Sequence, residues 1–169
     1  MRTLLLVRHA KSSWDDPSLA DRERPLSPRG LRAARRLGRH LAGCGLAKPA
    51  NRPELVLSSP AVRALKTARL VARRLRLRRR DIDVRETLYA TTARRLLQAL
   101  HSLDPGLRRV MLVGHDPEIS SLARRFSRSI AHMPTGAAAC FTFDAASWSD
   151  IGRDCLTRMH FDHFRRSKD

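Results

Sequence analysis

Three times along this chain a short, unbroken apolar run is followed by a Ser-Pro or Asp-Pro pair and then by apolar residues at helical spacing. The runs are Thr3 to Val7, Leu55 to Leu57 and Val110 to Val113, and the pairs are Ser27-Pro28, Ser59-Pro60 and Asp116-Pro117. An apolar run without polar alternation fits a strand covered on both faces, as in a parallel sheet. A serine or aspartate before proline marks a helix start, because its oxygen caps free backbone N–H groups and the fixed φ of proline suits the first helical position. The apolar stripes that follow are Leu31, Ala34, Leu37 and Leu41, with Gly43 and Gly45 as the stop; Ala61, Leu65, Ala68, Val71 and Leu75; and Ile119, Leu122, Ala123 and Phe126. Ile82 to Val84 reads as a further strand, Thr92 to Leu100 as a further helix, and Phe141 to Phe143 as a late strand. Alternating strands and helices predict a three-layer α/β sandwich with a mainly parallel central sheet flanked by helices.

The chain has 169 residues, suited to a single domain over 1–169, and its 42% hydrophobic content is enough for a real core. No apolar run approaches the roughly 20 residues of a membrane span. Arg8 and His9 interrupt the first run before a signal-peptide core develops, so a cytoplasmic protein is expected. Cys44, Cys140 and Cys155 are odd in number and lack CxxC spacing, which argues against a disulfide framework or a zinc site and predicts buried free thiols. His160 and His163 are the one close histidine pair, with no third ligand in evidence.

Lys plus Arg number 34 against 16 Asp plus Glu, a formal charge of +18, and 30 of the cations are arginine. Arginine is densest from Arg69 to Arg80. With aromatic content of 5% and no RNA- or DNA-binding signature, nucleic acid is not the expected partner, and this stretch reads as a solvated helix face and loop.

In a parallel sheet, ligands gather at the C-terminal ends of the strands. His9 follows the first apolar run, His115 follows the run Val110 to Val113, and Arg63 begins the helix after the run Leu55 to Leu57. An Arg-His dipeptide alone means little, since this composition yields about one by chance. Arg39-His40, the other occurrence, falls inside an amphipathic helix, whereas Arg8-His9 follows a buried strand. Arg8, His9, Arg63 and His115 together supply two guanidiniums and two imidazoles. Guanidinium forks bind phosphate oxygens bidentately without losing their protons. A neutral imidazole can attack phosphorus in line to form a phosphohistidine, and a second, protonated imidazole can donate to a nonbridging oxygen.

These residues resemble the histidine phosphatase superfamily, which also contains the phosphoglycerate mutases, and within it the small phosphohistidine phosphatases. Leu4 to Ala10 resembles the strand and Arg-His-Gly signature, with Ala10 in place of Gly as in the phosphohistidine phosphatase branch. Asp21, with Arg24-Pro25-Leu26-Ser27 and Arg29-Gly30, is similar to that branch's next block. Ser58 to Ala64 with Thr67-Ala68 resembles the second arginine motif, Val113 to Pro117 the second histidine motif, and Met133-Pro134-Thr135-Gly136 with Trp148 the C-terminal part.

The resemblance implies a phosphoglycerate-mutase-like fold and no metal or cofactor. It makes His9 the phosphorylated nucleophile, Arg8 and Arg63 the phosphate clamps and His115 the second catalytic histidine, with phosphate or sulfate as the natural occupant of the site. The departure is the glutamate general acid that the mutases carry after the third strand. Here the stretch reads Arg85-Glu86-Thr87-Leu88-Tyr89-Ala90, and the acid's usual position falls on Ala90. Glu86 and Asp21 are the remaining candidate acids. An alkoxide leaving group needs that proton, while an imidazole nitrogen can be protonated before cleavage, so a missing acid favours phosphohistidine on a partner protein. The rival readings are a phosphatase or mutase for a small phosphorylated metabolite, and a basic module binding nucleic acid or an acidic protein.

Overall fold

The computed structural model describes residues 1–162. Six strands, β1 (Arg2–Arg8), β2 (Leu55–Ser58), β3 (Ile82–Val84), β4 (Arg109–Gly114), β5 (Ala138–Phe143) and β6 (Leu156–Asp162), form one sheet in the order β3-β2-β4-β1-β5-β6. The β3-β2, β2-β4 and β4-β1 pairs are parallel; β1-β5 and β5-β6 are antiparallel. Helices α1 (Pro28–Leu41) and α2 (Val62–Arg74) cover one face, and α3 (Ala93–His101) and α4 (Glu118–Phe126) cover the other.

The alternation of side chains along a strand explains the two-sided apolar runs. Leu5 and Val7 of β1 and Met111 and Val113 of β4 pack with Leu37, Leu41, Ala64, Ala68 and Val71 of α1 and α2. Leu4 and Leu6, with Val110 and Leu112, pack instead with Leu96, Leu100, Ile119, Leu122 and Phe126 of α3 and α4. The mainly parallel three-layer sandwich is therefore as expected, with an antiparallel extension at one edge.

Ser27 caps α1 by accepting from the N–H of Gly30, and Pro28 opens the helix. Gly45, at φ +90°, sits where the chain leaves that helix. Two start signals act further from their helices than the sequence suggests. Ser59 accepts from the Ala61 N–H, but α2 begins at Val62, and Pro117 rather than Asp116 precedes the first residue of α4. Strand β6 has no counterpart in the sequence reading. The expectation of buried thiols is corrected: all three cysteines are free, but Cys44 is exposed and Cys140 and Cys155 are half-buried. Arg69, Arg73, Arg74, Arg76, Arg78, Arg79 and Arg80 are all exposed, as the solvated-face reading holds. His163 lies outside the described residues, and His160 bonds to Asp162. Among the described residues, no helix is long and apolar enough to cross a membrane.

Candidate active site

The C-terminal ends of β1, β2 and β4 lie side by side, so residues far apart in sequence meet there. Backbone bonds lock the junction. The His9 N–H donates to the Gly114 carbonyl (3.1 Å), the Ser59 N–H to the Val113 carbonyl (3.2 Å), and the Gly136 N–H to the carbonyls of Arg8 (3.2 Å) and His9 (3.1 Å). Buried Thr67 ties the first turns of α2 to β1: its hydroxyl accepts from the Ala10 N–H at 3.1 Å and donates to the Arg63 carbonyl at 2.8 Å.

His9 is 8% exposed and Arg63 6% exposed. The His9 Nδ1 lies 2.7 Å from the carbonyl of Ala10, an acceptor only, so Nδ1 carries the proton and Nε2 keeps a lone pair. That lone pair faces the Nε–H of Arg63 at 3.4 Å. The rings of His9 and His115 are 5.0 Å apart between centroids. His115 Nε2 lies 2.7 Å from the buried Ser59 hydroxyl, and the ring of Tyr89 stands edge-on to it at 5.6 Å. Arg8, the last residue of β1, donates to the Met133 carbonyl at 2.8 Å. The structure thus brings together Arg8, His9, Arg63 and His115 as the sequence reading expects.

Burial lowers the His9 pKa to about 4, the positive charges of Arg63 and Arg8 acting in the same direction against the Ala10 bond. Burial also lowers His115, to about 3, aided by His9 and Arg63. Both imidazoles are neutral near pH 7 in the unliganded site. A phosphoryl dianion between them and the arginines reverses the local field and favours the protonated form of His115. The Nε of Arg8 and the Nδ1 of His115 are buried without a partner among the described residues.

The two candidate acids stand at the rim. Desolvation pushes the Asp21 carboxyl up, but hydrogen bonds from Arg63 (2.9 Å), Tyr89 (2.8 Å) and Arg24 (3.0 Å) outweigh it and hold the pKa at about 2. The Asp21 carbonyl also accepts from Arg63, so the strand-free segment 12–26 rests on this guanidinium. Glu86 gives both oxygens to exposed Arg22, each at 2.7 Å, and that pair lowers its pKa. Each carboxylate is therefore deprotonated and engaged as an ion-pair acceptor in this state.

Three neighbours escaped the sequence reading in their roles. Ser59 stood only as a helix-start cap and in a motif, Tyr89 only in the stretch lacking an acid, and His132 nowhere. His132 Nε2 lies 3.4 Å from Arg8, and its Nδ1 3.4 Å from Asp116, whose carboxylate is 3.7 Å from Arg8. Nothing local in sequence marks it, since it reaches the site only through the loop between α4 and β5.

Residues 4–90 match the family profile of the histidine phosphatase superfamily (branch 1). An uncharacterised chloroplastic protein of Arabidopsis thaliana is 46% identical over 66 residues, which span 39% of this chain and 28% of that protein. An uncharacterised protein of Mycobacterium tuberculosis is 29% identical over 170 residues, covering 92% of this chain and 98% of the relative. Among solved structures, SixA of Nakamurella multipartitia, a candidate phosphohistidine phosphatase, superposes with a TM-score of 0.79 at 24% identity over 96% of this chain and 95% of that one. The protein histidine phosphatase SixA in complex with tungstate gives 0.76 at 23% identity over 93% and 95%. A mycobacterial glucosyl-3-phosphoglycerate phosphatase gives 0.64 at 17% identity over 96% and 97%. At these identities the structural matches speak for the fold.

Proposed function

The chain belongs to the histidine phosphatase superfamily, and from that premise we propose that it is a single-domain, cofactor-independent phosphatase that hydrolyses phosphohistidine on a partner protein. His9 Nε2 attacks phosphorus, the P–N bond to the substrate imidazole breaks, and the leaving nitrogen is protonated from water. Water then attacks phospho-His9, releasing inorganic phosphate and restoring the neutral imidazole. Arg8 and Arg63 hold the nonbridging oxygens, and His115, protonated once the dianion is bound, donates to one of them.

The observation that carries the P–N preference is the state of Asp21 and Glu86. Both are ionised and committed to arginines, so neither stands ready to protonate an alkoxide. The SixA structures support the reading by fold, and the complex of one of them with tungstate agrees with a protein of this fold taking an oxyanion. The glucosyl-3-phosphoglycerate phosphatase keeps a small-metabolite substrate as the second reading.

The test compares wild type and His9→Ala on a phosphohistidine-bearing protein and on an aryl phosphate, without added metal. The expected result is faster turnover of phosphohistidine by wild type and no turnover of either substrate by the variant. Faster turnover of the aryl phosphate would move the substrate to phosphomonoesters, and an active His9→Ala would remove the covalent step.

A further inference from the structure

The exposed side of α1 carries Arg29, Arg32, Arg36 and Arg39 at intervals of three, four and three residues, so they form one stripe. The stripe lines a groove that Lys11 and Thr135 also line. Lys11 is two residues beyond His9, and Thr135 precedes Gly136, whose N–H is bonded to the carbonyls of Arg8 and His9. The groove therefore adjoins the backbone that carries Arg8 and His9, a Cβ on Gly136 lying 3.9 Å from both Ala10 and Ala33. Among the described residues no carboxylate lines it, and none lies at ion-pair distance from Arg29, Arg32 or Arg39. From Arg29 to Arg39 it runs about 15 Å along the helix.

A small phosphorylated metabolite is served by the site itself and leaves that length unused. A single nucleic-acid strand wants aromatic side chains on which to stack, and none of the described residues lining the groove is aromatic. Cations recurring every three to four residues match carboxylates that recur at the same period on an opposing helix. We propose that this groove docks an acidic helix of the protein that bears the phosphoryl group, setting its phosphohistidine over His9. The inference rests on the phosphohistidine reading above and adds the surface by which the substrate is chosen.

The test uses the full chain and the variant Arg29→Glu/Arg32→Glu/Arg39→Glu, with the matching glutamine variant as a milder step. All three positions are exposed on a helix, and circular dichroism checks that the fold is kept. Two kinetic substrates are compared, an acidic helical-bundle protein phosphorylated on histidine and the small compound phosphoimidazole. Fluorescence anisotropy measures binding of the same unphosphorylated bundle. At about 50 mM salt the expected result is a KM for the protein substrate raised about tenfold or more, with kcat and turnover of phosphoimidazole unchanged. Binding weakens in parallel, the glutamine variant lies between, and the difference narrows at about 0.5 M salt.

Unchanged KM and binding overturn the docking role, and so does an equal loss on both substrates. If wild type hydrolyses neither substrate while binding is still lost in the variant, the phosphohistidine reading falls and the groove stands. An RNA duplex that binds tighter than the acidic bundle at the same salt, and is the ligand lost in the variant, overturns the choice of partner.

Discussion

Two histidines buried beside two guanidiniums resist protonation, and this sets how the molecule responds to acid. The unfolded chain takes up protons on His9 and His115 near the ordinary value of 6.5, whereas the folded chain does so only near 4 and 3. The unfolded state thus binds more protons as pH falls, and stability declines from about pH 6.5 down through those values. Urea midpoints measured between pH 7.5 and 4.5 should fall steadily, and more shallowly in His115→Gln; a midpoint independent of pH would contradict the burial. The same shift places the acid limb of kcat/KM near 4 rather than 6.5, since His9 keeps its lone pair until then. Arg63→Ala removes a charge-assisted donor from the developing phosphoryl charge and should cost about 10²–10³ in kcat/KM, as loss of one preorganised donor does elsewhere. Retention of wild-type kcat/KM would place the clamp elsewhere. Ser59→Ala unfastens His115 Nε2, and a drop in kcat with little change in KM is expected if that bond orients the ring.

Among the elements, α1 is seated directly against the chain that leaves His9. A Cβ on Gly30 would lie 2.0 Å from the Lys11 carbonyl oxygen, so helix and chain leave no room for a side chain. Gly30→Ala must push α1 away from the segment that leads out of His9, and a loss of about 1–3 kcal/mol is expected from overpacking of this kind. Chemical denaturation measures it, and a neutral substitution would mean the contact yields freely.

The sequence pattern marked these elements unevenly, for physical reasons. Strands β1, β2 and β4 were legible because both faces are covered and their residues are uniformly apolar. Strand β6 was not, because it lies at the sheet edge with polar residues to solvent, and a register shift that skips Thr157 breaks the alternation of Leu156, Met159 and Phe161. Arg8, His9, Arg63 and His115 were legible because each directly follows a readable strand or opens a readable helix. Tyr89, His132 and the use of Ser59 were not, since their contacts cross 26 to 124 residues or end in irregular loops. The offset of α2 from Ser59-Pro60 has the same origin: the Ser59 side chain serves His115 as well as the Ala61 N–H.

At the scale of the whole molecule, a formal charge of +18 on 169 residues sets the protein against itself. Anions that bind the folded state relieve this, and one that fits the site does so specifically. About 10 mM inorganic phosphate should raise Tm more than sodium chloride of equal ionic strength, and Arg63→Ala should remove most of the excess. Equal shifts for both salts would mean screening alone.

The strand order carries a last consequence. Strand β4 sits between β1 and β2, although it comes third-last in the chain, so His9 and Arg63 have no shared floor until residues 109–114 arrive. During synthesis the nascent chain must therefore hold β1 without either sheet neighbour, and β2 with only β3 beside it, until residues 109–114 emerge. Activity appears all at once and late, no N-terminal fragment ending before β4 can bind phosphate with both arginines, and folding is slow for so small a molecule because its essential pairings are distant.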